Sequence, residues 1–316
     1  MSLVVVGSVA YDGIETPFGK VDRIVGGAAT YISLAASFFY QPIVLISVIG
    51  DDFSEAFLQE FQRRGIDLTG LQIRKGEKSF FWRGRYGLDL NTRETLKTEL
   101  NVLERFQPIL PEQWRTAPFL MLGNLDPDIQ LSVLRQFTKR PLFIGMDTMN
   151  FWLDTKYDRV LEVMKEVDVL IVNDEEARQL TKEYALAKAA KQILSLGPSY
   201  VIIKKGEHGA LLFSQDAVFY APALPLEEVF DPTGAGDTFA GGFMGYLAQN
   251  VTKPEDITLN HLKNAVIYGS ALASFCVEAF GPNRLLEITP EAIHERYLQF
   301  YRLVAFEQHL PLRSDG

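Results

Sequence analysis

Asp231-Pro-Thr-Gly-Ala-Gly-Asp-Thr-Phe-Ala-Gly-Gly-Phe243 joins a break in the chain to the start of a helix. Pro232 and Gly234 end any preceding strand, and from Ala235 small and apolar residues recur at helical spacing through Tyr246 and Leu247. The first backbone N–H groups of that helix, at Gly234, Ala235 and Gly236, have no intrahelical acceptor and point out of its end. The two glycines let a phosphate come close to the backbone, and the helix dipole favours its negative charge. Asp237 falls in the first turn, beside this anion hole. A carboxylate next to phosphate is unfavourable unless it serves a purpose, and its natural use is to hold a substrate hydroxyl in line with phosphorus and take its proton. Phosphoryl transfer runs through a loose transition state, so orientation counts for more than basicity and an Asp of ordinary low pKa suffices. The plainer alternative is a helix-start carboxylate that only complements the dipole.

On the N-terminal side of this stretch, short apolar runs alternate with helical patterns. Leu3 to Val6, Ile43 to Ile49, Phe119 to Leu122, Leu142 to Met146, Val169 to Val172 and Val201 to Ile203 are apolar on both faces, which suits a parallel sheet covered on both sides. Phe53, Ala56, Phe57 and Phe61 share one stripe of a helix that Asp52 or Ser54 would cap. The alternation predicts a single doubly wound, mostly parallel α/β domain over residues 1–316, with ligands at the carboxyl ends of its strands. Two stretches break the pattern. Asp12 to Gly26 reads as a hairpin, and Ser79 to Tyr86 alternates with Phe80, Trp82 and Tyr86 on one face and Phe81, Arg83 and Arg85 on the other. With a return strand near Glu94 to Leu100, residues of about 12–26 and 79–100 are expected to form a small β-sheet lid.

Composition narrows the partners. The chain has 316 residues, 47% hydrophobic and 22% charged, with a net charge of -9, and it lacks the basic runs that nucleic-acid binding requires. Met1 to Val9 reads as a buried strand and carries no basic leader, and no apolar run is long enough to span a bilayer. A cytoplasmic protein with a small-molecule partner is expected. Cys276 is the only cysteine and lies in an apolar helical run, which rules out an intramolecular disulfide and favours a core position. His208, His261, His294 and His309 lack metal-ligand spacing, and none is expected to be catalytic.

The segment from Asp231 to Phe239 resembles the C-terminal signature of the PfkB, or ribokinase-like, carbohydrate kinases, and further motifs follow in the family's order along nearly the whole chain. Gly7-Ser-Val-Ala-Tyr-Asp12 resembles the first strand and its substrate-binding Asp, here Asp12. Gly26 and Gly27, ahead of a small-residue helix, resemble the N-terminal signature, where substrate lies against backbone. Asn173-Asp-Glu-Glu176 is similar to the Asn-x-x-Glu motif that places phosphates and Mg²⁺, with Glu176 acting on the metal through water. Lys205-Gly206-Glu-His-Gly209 resembles the turn beneath the nucleotide.

The resemblance implies ATP and Mg²⁺ as cofactors, with Thr233, Lys204, Gly206, Gly209 and Asn283 on the nucleotide side. Loops before Asp231 and at Phe280-Gly281-Pro282-Asn283 hold a monovalent cation in some members, so K⁺ joins the expectation. Tyr31 stands where many members have Asn, and Lys204 where many have Thr, so the acceptor contacts differ from the usual pattern. Asp147 and Asn150, after a strand, are candidate substrate contacts, with capping by Asp147 as the plainer reading; Asn124 is a weaker candidate of the same kind. Arg83 and Arg85 either bind a phosphate on the substrate or lie solvated. The aromatic face of the lid either covers a ligand or pairs two lids in a homodimer. The expected function is phosphorylation of a sugar hydroxyl, with a nucleoside kinase as the alternative and a non-catalytic sensor behind both. A dinucleotide-dependent oxidoreductase fits poorly, because no Gly-x-Gly-x-x-Gly follows an early strand.

Overall fold

The computed structural model describes residues 2–305. The expectations for Met1 and His309 lie outside the described residues. The chain enters through β1 (Leu3–Val6) and leaves the main layer for a hairpin, β2 (Ala10–Thr16) and β3 (Gly19–Gly26), before α1 (Ala28–Ala36) returns it to β4 (Ile43–Gly50). α2 (Glu55–Arg63) and the short β5 (Ile66–Asp67) and β6 (Leu71–Arg74) precede a second excursion, β7 (Phe80–Tyr86) and β8 (Arg93–Glu99). Strands and helices then alternate through β9 (Phe119–Leu122), α3 (Pro127–Leu134), β10 (Phe143–Asp147), α4 (Asn150–Thr155), α5 (Tyr157–Met164), β11 (Val169–Asn173), α6 (Asp174–Thr181), α7 (Leu186–Ser195) and β12 (Tyr200–Lys204). β13 (Ala210–Phe213) and β14 (Val218–Ala221) follow, and then α8 (Ala235–Asn250), α9 (Leu259–Cys276), α10 (Asn283–Glu287) and α11 (Pro290–Val304).

The large sheet runs β14-β13-β12-β11-β10-β9-β1-β4-β5, with β6 also paired to β4. It is parallel from β12 to β5, while β13 pairs antiparallel with β12 and β14 antiparallel with β13. The six apolar runs expected to be strands are β1, β4, β9, β10, β11 and β12. Their residues alternate between two cores: Leu3, Val5, Phe119, Met121 and Ile171 face the layer of α1, α8 and α9, whereas Val4, Val6, Leu120, Leu122 and Val172 face that of α3, α5, α6 and α7. Burial on both faces explains why these strands are uniformly apolar, since each large aliphatic side chain contributes about 1.5–3 kcal/mol when buried.

α2 departs from its expected detail. Ser54 caps it, accepting from the Phe57 N–H, while Asp52 is drawn away to Arg23 at 2.7 Å and to the Ser79 amide at 2.7 Å. Ala56 is exposed, and Leu58 joins Phe53 and Phe61 as the buried residues, with Phe57 half-buried beside them.

The second sheet has the order β3-β2-β7-β8, with β2 and β7 parallel and the outer pairs antiparallel. Paired residues share a face, so Asp12, opposite Trp82, puts Trp82 and its face-mates Gly84 and Tyr86 on the side turned to the main sheet. The opposite face carries Arg83, paired with Asp22 at 3.0 Å, and Arg85, paired with Glu15 at 3.0 Å. Both arginines are paired with carboxylates of the lid itself. Trp82 and Tyr86 thus face the cleft, while Phe81 lies on the outer face under Arg83.

Candidate active site

Because the central strands are parallel and in register, their carboxyl ends bring Asp147, Asn173 and Lys204 to one edge, with Asn173 directly beside Lys204. At that edge α8 begins. Its N-cap, Gly234, has φ 77°, and a Cβ there would come within 2.4 Å of the Tyr31 ring. Only glycine reconciles this left-handed turn with an aromatic ring packed beneath it. Asp231 ties the loop down: its carboxylate accepts from the Thr233 amide at 2.8 Å and the Gly281 amide at 2.9 Å. Gly234, Ala235, Gly236 and Asp237 all remain partly exposed, so the helix end is open to a ligand.

The electrostatics of this edge are those of a crowded acid cluster around one cation. Lys204 Nζ lies 3.7 Å from Asp147 and points at the start of α8, where a Cβ on Gly236 would sit 2.7 Å from it. Burial alone would lower the Lys204 pKa, but Asp147, Glu176 and Asp237 outweigh it and hold the ammonium above its usual value. Burial pushes Asp147 up against the pull of Lys204. Glu176 is raised to about 7 by burial and by Asp147, and Asp237 to about 7 by the same two causes, with Lys204 and Arg93 pulling both back. Asp237 therefore differs from the low-pKa carboxylate expected from sequence, because the helix end alone does not reveal its burial or its acidic neighbours. The Asn-x-x-Glu motif closes on itself as a capping box: Asn173 N–H donates to Glu176 at 2.8 Å and Glu176 N–H to Asn173 at 2.8 Å.

On the lid side, Asp12 lies over Gly26, where a Cβ would meet its Oδ2 at 1.9 Å. Its pKa is raised to about 8 by burial and by Asp231 and Asp237, with the Gly27 amide pulling the other way. Contacts at both ends of β7 and its loop join the lid to the main sheet near the site. Thr233 donates to the Tyr86 hydroxyl at 3.0 Å, and at the lid tip Asn91 reaches Gly206, where a Cβ would fall 2.5 Å from Asn91 Oδ1. Gly206 and Gly209, with φ 53° and 83°, form the tight turn between β12 and β13.

The structure brings together Asp12, Gly26, Gly27, Asp147, Glu176, Lys204 and residues 233–237. Tyr31 is only 1% exposed, and its hydroxyl has no partner among the described residues, so it supports the glycine loop from below. Asn150 is turned to α6, donating to Gln179 at 2.7 Å, and Asn124 accepts from Trp152 at 3.1 Å. Asn283 is exposed at the start of α10. Sequence reasoning missed Arg93, whose position opposite Tyr86 places it on the cleft face of the lid. Its only local signal was a charged residue in the return strand.

Burial of Asp12 has a consequence for stability. With a folded pKa of about 8 and an ordinary one near 3.8, the folded chain binds more protons than the unfolded chain between these values, so this group's contribution falls as pH rises through that window. Asp12→Asn is expected to raise the stability of the unliganded protein at pH 9 by about 0.5–2 kcal/mol and to leave it unchanged near pH 4. Thermal melts of both proteins across pH check this; a variant less stable at pH 9 contradicts it.

Residues 2–289 match the pfkB family of carbohydrate kinases, and the chain belongs to that family. It is thus a kinase, a phosphotransferase with an alcohol group as acceptor and ATP as donor. It is 30% identical to the cytidine kinase of Thermococcus kodakarensis over 78% of this chain and 88% of that one. Its fold is shared by a Burkholderia thailandensis nucleoside kinase in complex with inosine, at TM-score 0.72 and 18% identity over 94% of this chain and 96% of that one. The Xylella fastidiosa fructokinase with bound ATP superposes at TM-score 0.76 and 16% identity, covering 94% of this chain and 98% of that one. No helix among the described residues is long and apolar enough to cross a membrane.

Proposed function

We propose that this kinase phosphorylates a hydroxyl group of a nucleoside, with Asp237 orienting and deprotonating that hydroxyl and the amides of 234–236 receiving the charge of the migrating phosphoryl group. The carrying observation is the aromatic face of the lid: Trp82 stands directly opposite Asp12, with Tyr86 further along the same face. A flat base below indole and phenol rings gains stacking that a bare sugar ring does not, while Asp12 meets the ribose hydroxyls. The likeness to a cytidine kinase points the same way. Both observations favour a nucleoside over the simple sugar first expected from sequence.

In this reading Asp12, Gly26 and Gly27 hold the acceptor, and Tyr31 acts beneath the loop. Lys204, Thr233 and the turn of Gly206 and Gly209 hold the nucleotide. Among the described residues no three His, Cys, Asp or Glu side chains lie close enough to bind a metal directly. Glu176 nevertheless suits Mg²⁺ through water, because one of its oxygens is taken by the Asn173 amide and repulsion among Asp147, Glu176 and Asp237 is relieved by a cation. When bound with ATP, Mg²⁺ neutralises phosphate charge. K⁺ at the Asp231 and Gly281 loop is a further expectation, checked by comparing turnover in K⁺ and Na⁺ salts.

The test is ADP release from ATP across a panel of cytidine, uridine, adenosine, inosine, ribose, fructose and 2-keto-3-deoxygluconate. At least one nucleoside is expected to exceed every free sugar in kcat/KM by tenfold or more, or about 1.4 kcal/mol of extra transition-state binding. A free sugar ahead of all nucleosides would return the assignment to the carbohydrate reading.

A further inference from the structure

The cations on the lid strands are nearly all spent. Lys20, Arg23, Arg83, Arg85 and Lys97 each lie within 4 Å of a carboxylate: Asp22, Asp52, Asp22, Glu15 and Glu99 respectively. Among the described residues of these strands, Arg93 alone has no such partner. It sits opposite Tyr86 in the β7–β8 register, on the face turned to the cleft, and its guanidinium stacks 5.4 Å over the Trp82 ring. Tyr86 in turn meets Thr233, the residue before the anion-hole glycine. The charge of Arg93 is felt at Asp12, Glu176 and Asp237, on both walls of the cleft.

We propose that Arg93 is a catalytic residue carried by the lid, which on closure puts its guanidinium on the terminal phosphoryl group of ATP as that group moves to the acceptor. The inference rests on the reading of residues 234–237 as the phosphoryl site. A triphosphate entering beside Asp12, Asp147, Glu176 and Asp237 meets four carboxylates and, from the main sheet, the single buried cation Lys204. A second cation from the opposite wall offsets that repulsion. An arginine held by stacking, with its five N–H donors free, matches the three equatorial oxygens of the phosphoryl group. The phosphorus–oxygen bond to ADP breaks as the bond to the acceptor oxygen forms. The acceptor's proton goes to Asp237, and Arg93 exchanges no atoms. Because it belongs to the lid, it couples catalysis to closure and disfavours hydrolysis in the open state.

The test compares wild type with Arg93→Met, Arg93→Lys and, as a control on the outward face, Arg85→Met. Calorimetric titration with Mg²⁺ and either ADP or the β,γ-imido analogue of ATP reads the contact with the terminal phosphoryl group without any acceptor. Arg93→Met is expected to weaken the analogue about tenfold and ADP less than twofold, and to lower kcat on the best acceptor about 10²-fold, the scale of one lost charge-stabilising donor. Arg93→Lys should fall between, and Arg85→Met should match wild type, with melting temperatures showing that all remain folded. Equal weakening of both nucleotides, no weakening of either, or the same effect from Arg85→Met overturns the proposal. Intact discrimination that depends on Arg93, in an enzyme that turns over no nucleoside, would contradict the acceptor assignment and support this one.

Discussion

Asp237→Asn is expected to lower kcat by about 10² to 10⁴, the range for a lost general base, while leaving the affinity for Mg-ATP within a few-fold of wild type. The amide keeps the size of the carboxylate and removes only its ability to take a proton. Since Asp147, Asp237 and Lys204 interact, the variant also relieves repulsion in the cluster, so nucleotide binding has no reason to suffer. The same geometry fixes a pH dependence. Asp237 has to be ionised to accept the proton, and burial raises it to about 7, so kcat/KM of the free enzyme should fall as pH drops below about 7. Glu176 lies in the same range, and the limb belongs to the set of coupled acids more than to one of them. Steady-state rates from pH 5 to 9 check both statements. Retention of more than about a tenth of wild-type kcat by Asp237→Asn is incompatible with the assigned role.

Gly234→Ala is expected to have an effect of similar size by another route. Its φ of 77° lies in the left-handed region, where a side chain costs roughly 1–2 kcal/mol. The new Cβ would also meet the Tyr31 ring at 2.4 Å, and that ring is buried with nowhere to move. The strain is relieved by lifting the loop, which displaces the amides of Ala235 and Gly236 from the phosphoryl position. A shift of about 1 Å in such a site costs about 10²-fold in rate. A lower melting temperature should accompany the loss, by about 2–4 °C for each kcal/mol in a domain of this size. Adding Tyr31→Val to Gly234→Ala removes the clash and should restore part of the rate, a non-additive result because the two residues touch. Wild-type kinetics for Gly234→Ala alone would contradict the loop geometry.

The parallel strands were legible because burial on both faces leaves an unbroken apolar run, as at Leu3–Val6 and Phe119–Leu122. The glycine loop was legible because a helix start without side chains has few other uses. What escaped depends on tertiary partners. Tyr31 reads as an acceptor contact by its place after Gly26 and Gly27, yet the packing of α1 under α8 turns it beneath Gly234. Arg83 and Arg85 share the alternation of β7 with Trp82 and Tyr86, and only the pairing of β2 beside β7 shows which face meets the cleft. Arg93 lies in Arg-Glu-Thr-Leu-Lys-Thr-Glu, wholly exposed residues with no local feature to separate a site residue from a solvated one. The raised pKa values of Asp12, Glu176 and Asp237 arise from burial and mutual repulsion across elements far apart in the chain.

The most direct measurement is a crystal structure of the protein with Mg²⁺, ADP, aluminium fluoride and the nucleoside it turns over fastest. The planar fluoride should lie at about 3 Å from the amides of residues 234–236, with a nucleoside hydroxyl between it and the Asp237 carboxylate. A fluoride bound away from the start of α8, or a hydroxyl whose nearest acid is not Asp237, would contradict the account.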